Sequence, residues 1–302
     1  MKRSIVILSL ILCVWAVSPI AAQDTVAGES SDHTITIGEE SREYIVHTPA
    51  NYDDSTPVPL VIMLHGGGGG SAEFNAFSGM NRVADSAGFL AVYPESSNGV
   101  WNFLSREGRA DDLAFMDALL EQVQTDYAVN PAQIYAVGYS NGGLMALRMR
   151  CSMSDQLAGV GVMNATMTYA LAEFCLDAPP LPTILALGMS DPAFPWEGYA
   201  AAGEDDSLIS TFSSSQTIGF FSTLNHCVTQ PPSIEEITAD GSETRILQQR
   251  FELCDRSAYF HMLGLVNFGN NYPSQPTMLI DDQTVSVQGA IWAFLSQHVR
   301  TE

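Results

Sequence analysis

The sequence predicts an α/β fold, a mostly parallel central sheet with helices on both faces. Three observations carry that expectation. Continuous apolar runs of strand length alternate with helical patterns from residue 57 onward, the signature of strands buried on both faces and crossed by helices. One strand-to-helix junction reads Gly138-Tyr139-Ser140-Asn141-Gly142. About 280 residues follow an apolar leader, enough for one large domain with a substantial core.

The leader comes first. Met1-Lys2-Arg3 precedes an apolar run over residues 5–17 and the small residues Ala21-Ala22. This is the pattern of a secretory signal peptide cleaved after Ala22, and the run is shorter than the roughly 20 apolar residues a bilayer span needs. The expected organisation is a signal peptide over 1–22, a polar flexible lead-in over 23–32 and a single domain over 33–302. A secreted chain with no membrane anchor after cleavage is implied.

Elements then follow in order. Residues 34–37 and 43–47 alternate about a turn and read as a hairpin, and 60–64 is a buried strand. A helix is expected over 72–87, a strand over 89–93, and a helix over 111–127 with Leu113, Met116, Leu119, Leu120 and Val123 on one face. Strands at 133–137, 159–163 and 183–187 are expected, with a helix over 141–151 between the first two. Residues 189–226 read as an irregular rim with a helix near 210–224. A two-stranded excursion over 234–253 turns near Asp240-Gly241, a last strand covers 260–266, and a helix over 284–299 closes the chain.

The formal charge is −22. Without Lys2 and Arg3 it becomes −24, from 10 basic and 34 acidic residues, and no lysine is left. Such a field repels nucleic acid and anionic membrane surfaces. Acidic runs such as Glu204-Asp205-Asp206 read as solvated loops. No His/Asp cluster at ligand spacing is present, so no metal and no cofactor is expected. Cys151, Cys175, Cys227 and Cys254 form an even set in an exported chain. Of the three connectivities, the locally closed one (151 with 175, 227 with 254) is preferred.

The Gly-x-Ser-x-Gly pattern gains its meaning from context. It ends a buried strand and opens a helix, where a tight turn holds the serine exposed and glycines let the chain pass, so Ser140 is the expected nucleophile of an α/β-hydrolase fold. His65-Gly66-Gly67-Gly68-Gly69-Gly70 follows another strand, where the N–H groups of Gly67 and Asn141 can face a developing oxyanion. A phosphate loop is disfavoured because no Gly-Lys-Ser/Thr follows. His65 is read as a structural residue of this loop. Chain order in the fold is Ser, acid, His, which points to Asp191 as the acid. The loop after the last strand, where the histidine belongs, contains none.

Taken together, Leu64 through Gly69, Trp101, Asp111-Asp112-Leu113-Ala114-Phe115, Tyr127-Ala128-Val129-Asn130-Pro131 and Gly138 through Gly143 resemble a secreted esterase family. That family includes polyhydroxybutyrate depolymerase-like and feruloyl esterase-like proteins, and the resemblance runs from about residue 43 to 299. It implies a carboxylic ester hydrolase acting through an acyl-enzyme on a small-molecule or polymeric ester. It also matches Gly188, Asp191, Pro195 and Gly198 to the segment bearing the triad aspartate, and the four cysteines to the family's disulfide positions. Two positions depart from the pattern. Leu187 replaces a usual histidine, and Gly269-Asn270-Asn271-Tyr272-Pro273 stands where the family has Gly-His-x-Trp-Pro, which puts Asn270 at the catalytic histidine.

An amide has no basic nitrogen near neutral pH, so Asn270 can orient water but cannot accept the Ser140 proton. His33, His47, His261 and His298 are poorly placed in the chain, which leaves His226 as the one candidate replacement. Two readings follow: an extracellular serine esterase, or a catalytically impaired descendant that binds an ester, polyester fragment or glycan. Trp101, Trp196 and Tyr199 are available to stack on a ligand, although aromatic residues serve cores more often.

Overall fold

A computed structural model describes residues 27–200, 210–228, 233–238, 245–272, 277–280 and 283–300. The expected signal peptide, the Glu204-Asp205-Asp206 run and the Asp240-Gly241 turn lie outside the described residues.

Strand β5 (Val129–Tyr139) shows why the centre of the molecule is a sheet covered on both sides. Ile134 and Ala136 enter one apolar cluster while Tyr135 and Val137 enter the other, the period-2 alternation of a pleated strand. Its neighbour β3 (Val58–Leu64) divides in the same way, Leu60, Ile62 and Leu64 against Val61 and Met63. Six strands run parallel in the order β4 (Leu90–Pro94), β3, β5, β6 (Gly159–Met163), β7 (Thr183–Gly188) and β10 (Phe260–Leu265). Antiparallel hairpins flank them, β1 (Glu29–Ile37) with β2 (Glu40–Thr48) on one edge and β9 (Arg245–Phe251) with β8 (Ser233–Thr238) on the other.

Helices α3 (Asp112–Asp126), α4 (Asn141–Ser152) and α6 (Ser214–Leu224) supply Phe115, Leu147 and Phe221 to one face. Helices α1 (Ser71–Phe77), α2 (Met80–Ala87) and α7 (Val287–Leu295) supply Phe74, Met80 and Ile291 to the other. A short α5 (Tyr169–Ala172) follows β6. Every parallel strand ends at the same edge, so the loops after β3, β5, β6, β7 and β10 meet there.

The sequence expectations need four corrections. Strand β1 starts at Glu29, inside the stretch read as a flexible lead-in, because it pairs with β2 along its whole length. The helix expected over 72–87 is two helices, since Gly79 adopts φ 74°, a left-handed conformation that ends one and starts the other. The closing helix begins at Val287, because residues 283–286 form β12 (Gln283–Ser286), paired with β11 (Thr277–Ile280). The helix of the rim begins at Ser214, where Ser213 and Gln216 form a capping box.

The structure pairs Cys151 with Cys175 and Cys227 with Cys254, the locally closed connectivity. Beneath the loop after β4, Arg42 donates to Asp112 at 2.7 Å, both buried, while Asn102 N–H donates to the second Asp112 oxygen at 2.6 Å. No helix among the described residues is long and apolar enough to cross a membrane.

Two histidines are held neutral by this packing. Burial, with Arg250 and His298 nearby, drives His261 down to about 3, and burial drives His298 down to about 4. Glu252 lies 3.4 Å from His261 but is half exposed, too well hydrated to offset the burial. The unfolded chain therefore binds protons near pH 6.5 that the folded chain refuses, and stability falls as pH drops below that value. The urea midpoint is expected to decrease steadily from pH 7 to pH 5, and His261→Leu should remove about half of that slope.

Candidate active site

The strand-to-helix turn after β5 is built from contacts that leave no room for side chains. A Cβ on Gly138 would lie 2.0 Å from Gly142 O, and one on Gly142 would lie 2.2 Å from Leu64 O. Between them Ser140 takes φ 52°, ψ −119°, a strained conformation for an L-residue. The surroundings hold it there. Ser140 N–H donates to Met163 O at 2.8 Å, and Ser140 O accepts Leu144 N–H at 3.1 Å. The Ser140 hydroxyl itself has no hydrogen-bond partner among the described residues.

The glycine loop after β3 lies against this turn. Cβ atoms placed on Gly66 and Gly67 would both stand 3.5 Å from a neighbour across the gap, the Ser140 Cβ and the Asn141 Cβ respectively. Gly68 adopts φ 77° and donates to Gly99 O at 2.8 Å, and Gly69 donates back to Gly66 O at 3.1 Å. Neither the Gly67 nor the Asn141 N–H meets an acceptor among the described residues, and Asn141 is the first residue of a 12-residue helix. Two free N–H groups, one of them at a helix N-terminus, make a ready site for a negative oxygen.

Side chains fix the loop from behind. Ser96 N–H can only donate, so the Nε2 it meets at 3.2 Å is the acceptor of His65, and Nδ1 carries the proton given to Gly66 O at 2.9 Å. Both ring nitrogens are thereby committed, in keeping with a structural role for His65. Trp101 donates Nε1–H to His65 O at 2.9 Å, and its backbone N–H donates to Asn141 Oδ1 at 2.7 Å. The buried Trp101 is thus a brace for the loop, and the expectation that it stacks on a ligand is corrected. Trp196 likewise packs its ring over Gly264, 3.0 Å from where a Cβ would be.

On the other side of Ser140, the loops after β7 and β10 mesh. Asp191 is buried, with 3% of its surface exposed. Its Oδ1 accepts Ala193 N–H at 2.7 Å and Phe194 N–H at 3.0 Å, while Oδ2 is buried with no partner among the described residues. Burial raises its pKa, and the two N–H bonds pull it back only in part. A Cβ on Gly188 would meet Phe268 O at 2.6 Å and Gly269 O at 2.7 Å, and Ser190 N–H donates to Phe268 O at 2.9 Å. Asn270 is therefore brought beside the Asp191 loop. Its carbonyl accepts the Tyr139 hydroxyl at 2.9 Å, and burial together with the Asp191 charge raises the Tyr139 pKa.

His226 is not brought to this edge. Its neighbour Asn225 donates to Leu181 O and Ala258 O, just before β7 and β10 begin, and His226 itself pairs with Asp255 at 2.8 Å. Helix α6 starts over the site, where Ser214 N–H meets Trp196 O, and runs down the sheet, so its last turn lies at the opposite edge. His226 is thus removed as a candidate base. The other histidines are engaged elsewhere: His33 with Tyr127, His47 with Asp85, His261 and His298 against Phe294. All six histidines of the chain are described, and none contacts Ser140 or Asp191.

A cavity of about 230 Å³ opens along Gly66 to Gly70, walled by Phe74, Phe77 and Tyr139. Larger cavities, near 530 and 500 Å³, lie by Asn98 and Arg109 and by Pro180 and Arg300. Ser140 lines none of the three, and the smallest of them is the one that takes in the glycine loop with Gly67, so size is a poor guide to the site. Residues whose part was unforeseen from sequence include Tyr272, whose half-buried ring packs on Phe74, Phe77 and Tyr139 and whose hydroxyl donates to Ser78 O at 2.9 Å. Asn164 is another. The only signal for it is the tolerance of asparagine for the left-handed region, φ 48° here.

Residues 44–178 match a family model described as esterase PHB depolymerase. NocK of Nocardia uniformis subsp. tsuyamanensis, provisionally named an esterase, is 30% identical over 67% of this chain and 61% of its own. The chain thus spans about three fifths of the length of that relative. Feruloyl esterase C of Emericella nidulans is 29% identical over 64% of this chain and 72% of its own. Among solved structures, an acetyl xylan esterase from Aspergillus awamori superposes with a TM-score of 0.59 at 14% identity, over 88% of this chain and 99% of that one. The feruloyl esterase module from Clostridium thermocellum gives 0.57 at 14% identity, over 90% and 88%. These likenesses in structure establish the α/β-hydrolase fold.

Because a Cβ on Gly142 would strike the carbonyls of Leu64 and His65, both backbone, Gly142→Ala should lower stability beyond the about 3 kcal/mol that marks the upper end of ordinary overpacking. Chemical denaturation of the purified variant measures this.

Proposed function

We propose, from the premise that the chain belongs to an esterase family of the α/β-hydrolase kind, that it is a secreted carboxylic ester hydrolase with Ser140 as nucleophile. The observation that carries this reading is the strained Ser140 turn set against two unoccupied N–H groups. The Ser140 oxygen attacks the acyl carbon, the Gly67 and Asn141 N–H groups hold the oxyanion, the alcohol leaves, and water releases the acyl-enzyme. Asp191 stands at the acid position with Oδ2 free to accept an N–H. The names of the feruloyl esterase relatives, and the aromatic wall of Phe74, Phe77 and Tyr139, make esters with an aromatic group the first to try. The two disulfides and the amino-terminal leader support export.

A second reading has one observation behind it. Position 270 carries an amide, and all six histidines sit elsewhere, so the Ser140 proton has no imidazole to go to. A serine site without one triad member keeps about 10³ to 10⁴-fold catalysis over water, which suits a protein that binds an ester more than it cleaves one. Hydrolysis of short-chain p-nitrophenyl esters separates the two. Turnover that Ser140→Ala abolishes supports the esterase. Asn270→His should raise kcat by about 10² to 10⁴-fold, the usual contribution of a placed general base. Inactivity of both the native chain and Asn270→His would sink the catalytic reading and leave the binding one.

A further inference from the structure

We infer that Asn164 is a positioning residue that sets residue 270 in register with Asp191, a reading that rests on those two positions being the base and acid positions of the site. Asn164 follows β6 directly and is buried, with 1% of its surface exposed. Its backbone N–H joins the sheet, donating to Ala186 O at 2.9 Å. Its side chain then reaches both loops. Oδ1 accepts Gly188 N–H at 2.9 Å, at the root of the Asp191 loop. Nδ2 donates to Gly269 O at 3.0 Å and to Asn271 O at 2.9 Å.

The two carbonyls gripped by Nδ2 flank residue 270 on either side, and the carbonyl of residue 270 itself is taken by Tyr139. Three successive carbonyls are thus fixed, two of them from the same amide that fixes Gly188. Only a primary amide can do this, with one acceptor for an N–H and two donors for two carbonyls. Aspartate keeps the bond to Gly188 and sets a carboxylate oxygen against Gly269 O and Asn271 O. Serine is too short to span the loops. The φ of 48° also restricts the choice, because asparagine adopts this region more readily than most residues. Residue 270 therefore owes its direction to a side chain just after a different strand, more than 100 positions earlier in the chain.

The test places an imidazole at position 270 and asks whether Asn164 holds it. In Asn270→His, proton NMR should show a downfield imidazole N–H resonance from a hydrogen bond to Asp191 Oδ2, and Asp191→Asn should shift or remove it. Adding Asn164→Gly deletes the amide while glycine accepts the positive φ freely. Adding Asn164→Asp deletes only the grip on Gly269 O and Asn271 O. Either addition should abolish the resonance and, where Asn270→His turns over p-nitrophenyl esters, lower kcat by about 10²-fold with KM little changed, the usual cost of misplacing a reacting group by about 1 Å. Circular dichroism and melting of each variant separate this from unfolding, and the Asp variant serves if the Gly variant fails to fold. A resonance that survives both additions overturns the inference, as does its absence from Asn270→His with Asn164 intact. A resonance that depends on Asn164 without any turnover upholds the inference and counts against the proposed activity.

Discussion

The closeness of three backbone segments, the end of β3 at Leu64, the end of β5 at Gly138 and the first turn of α4 at Gly142, governs the rest of the site. At 2.0 to 2.2 Å from where a Cβ would sit, these carbonyls admit only glycine. That closeness forces Ser140 into a conformation costing about 1 to 3 kcal/mol, which the bonds to Met163 at the end of β6 and to Leu144 in the first turn of α4 sustain. The same approach brings Gly66 and Gly67 beside Ser140 and Asn141. The proposed nucleophile and oxyanion donors are therefore consequences of one packing constraint, and a change that relaxes it disturbs all of them.

Polar bonds then stiffen what the backbone has placed, differently on the two sides of Ser140. In front, the backbone and ring groups of His65, Trp101, Asn141 and Ser96 bond to one another and hold the glycine loop, while the Ser96 hydroxyl is buried with no partner among the described residues. Behind, Asn164 and Tyr139 fix the loop at residue 270, and Asp191 Oδ2 is buried with no partner among the described residues. Burying a carboxylate oxygen without a partner is costly, and the raised pKa of Asp191 expresses that cost. The rear half sets an amide at position 270 beside the loop of the proposed acid, Asp191.

Much of this could be read from the chain, where cause and effect are close in sequence. Ser140, Gly67 and Asn141 follow from strand, glycine and helix within a few residues of each other. Asp191 and Asn270 followed from chain order and resemblance, which name positions without giving contacts. The break at Gly79 was missed because apolar spacing continues across it, and the β11–β12 hairpin because its residues also suit a helix start. His226 was misplaced for another reason. Adjacency to the rim says nothing about which edge of the sheet a helix ends at, and α6 carries that residue to the far one.

By itself, then, the sequence determined the α/β class, the tight turn at Ser140, the glycine loop and the amide at position 270, all properties of local backbone freedom, apolar periodicity or residue chemistry. Tertiary structure alone decided which loops meet, that Trp101 braces while His226 stands away, that Asp191 keeps an unpartnered oxygen, and that Asn164 reaches across two strands' loops. Those outcomes depend on strand order and helix direction, which bring together residues far apart in the chain and leave no periodic trace along it.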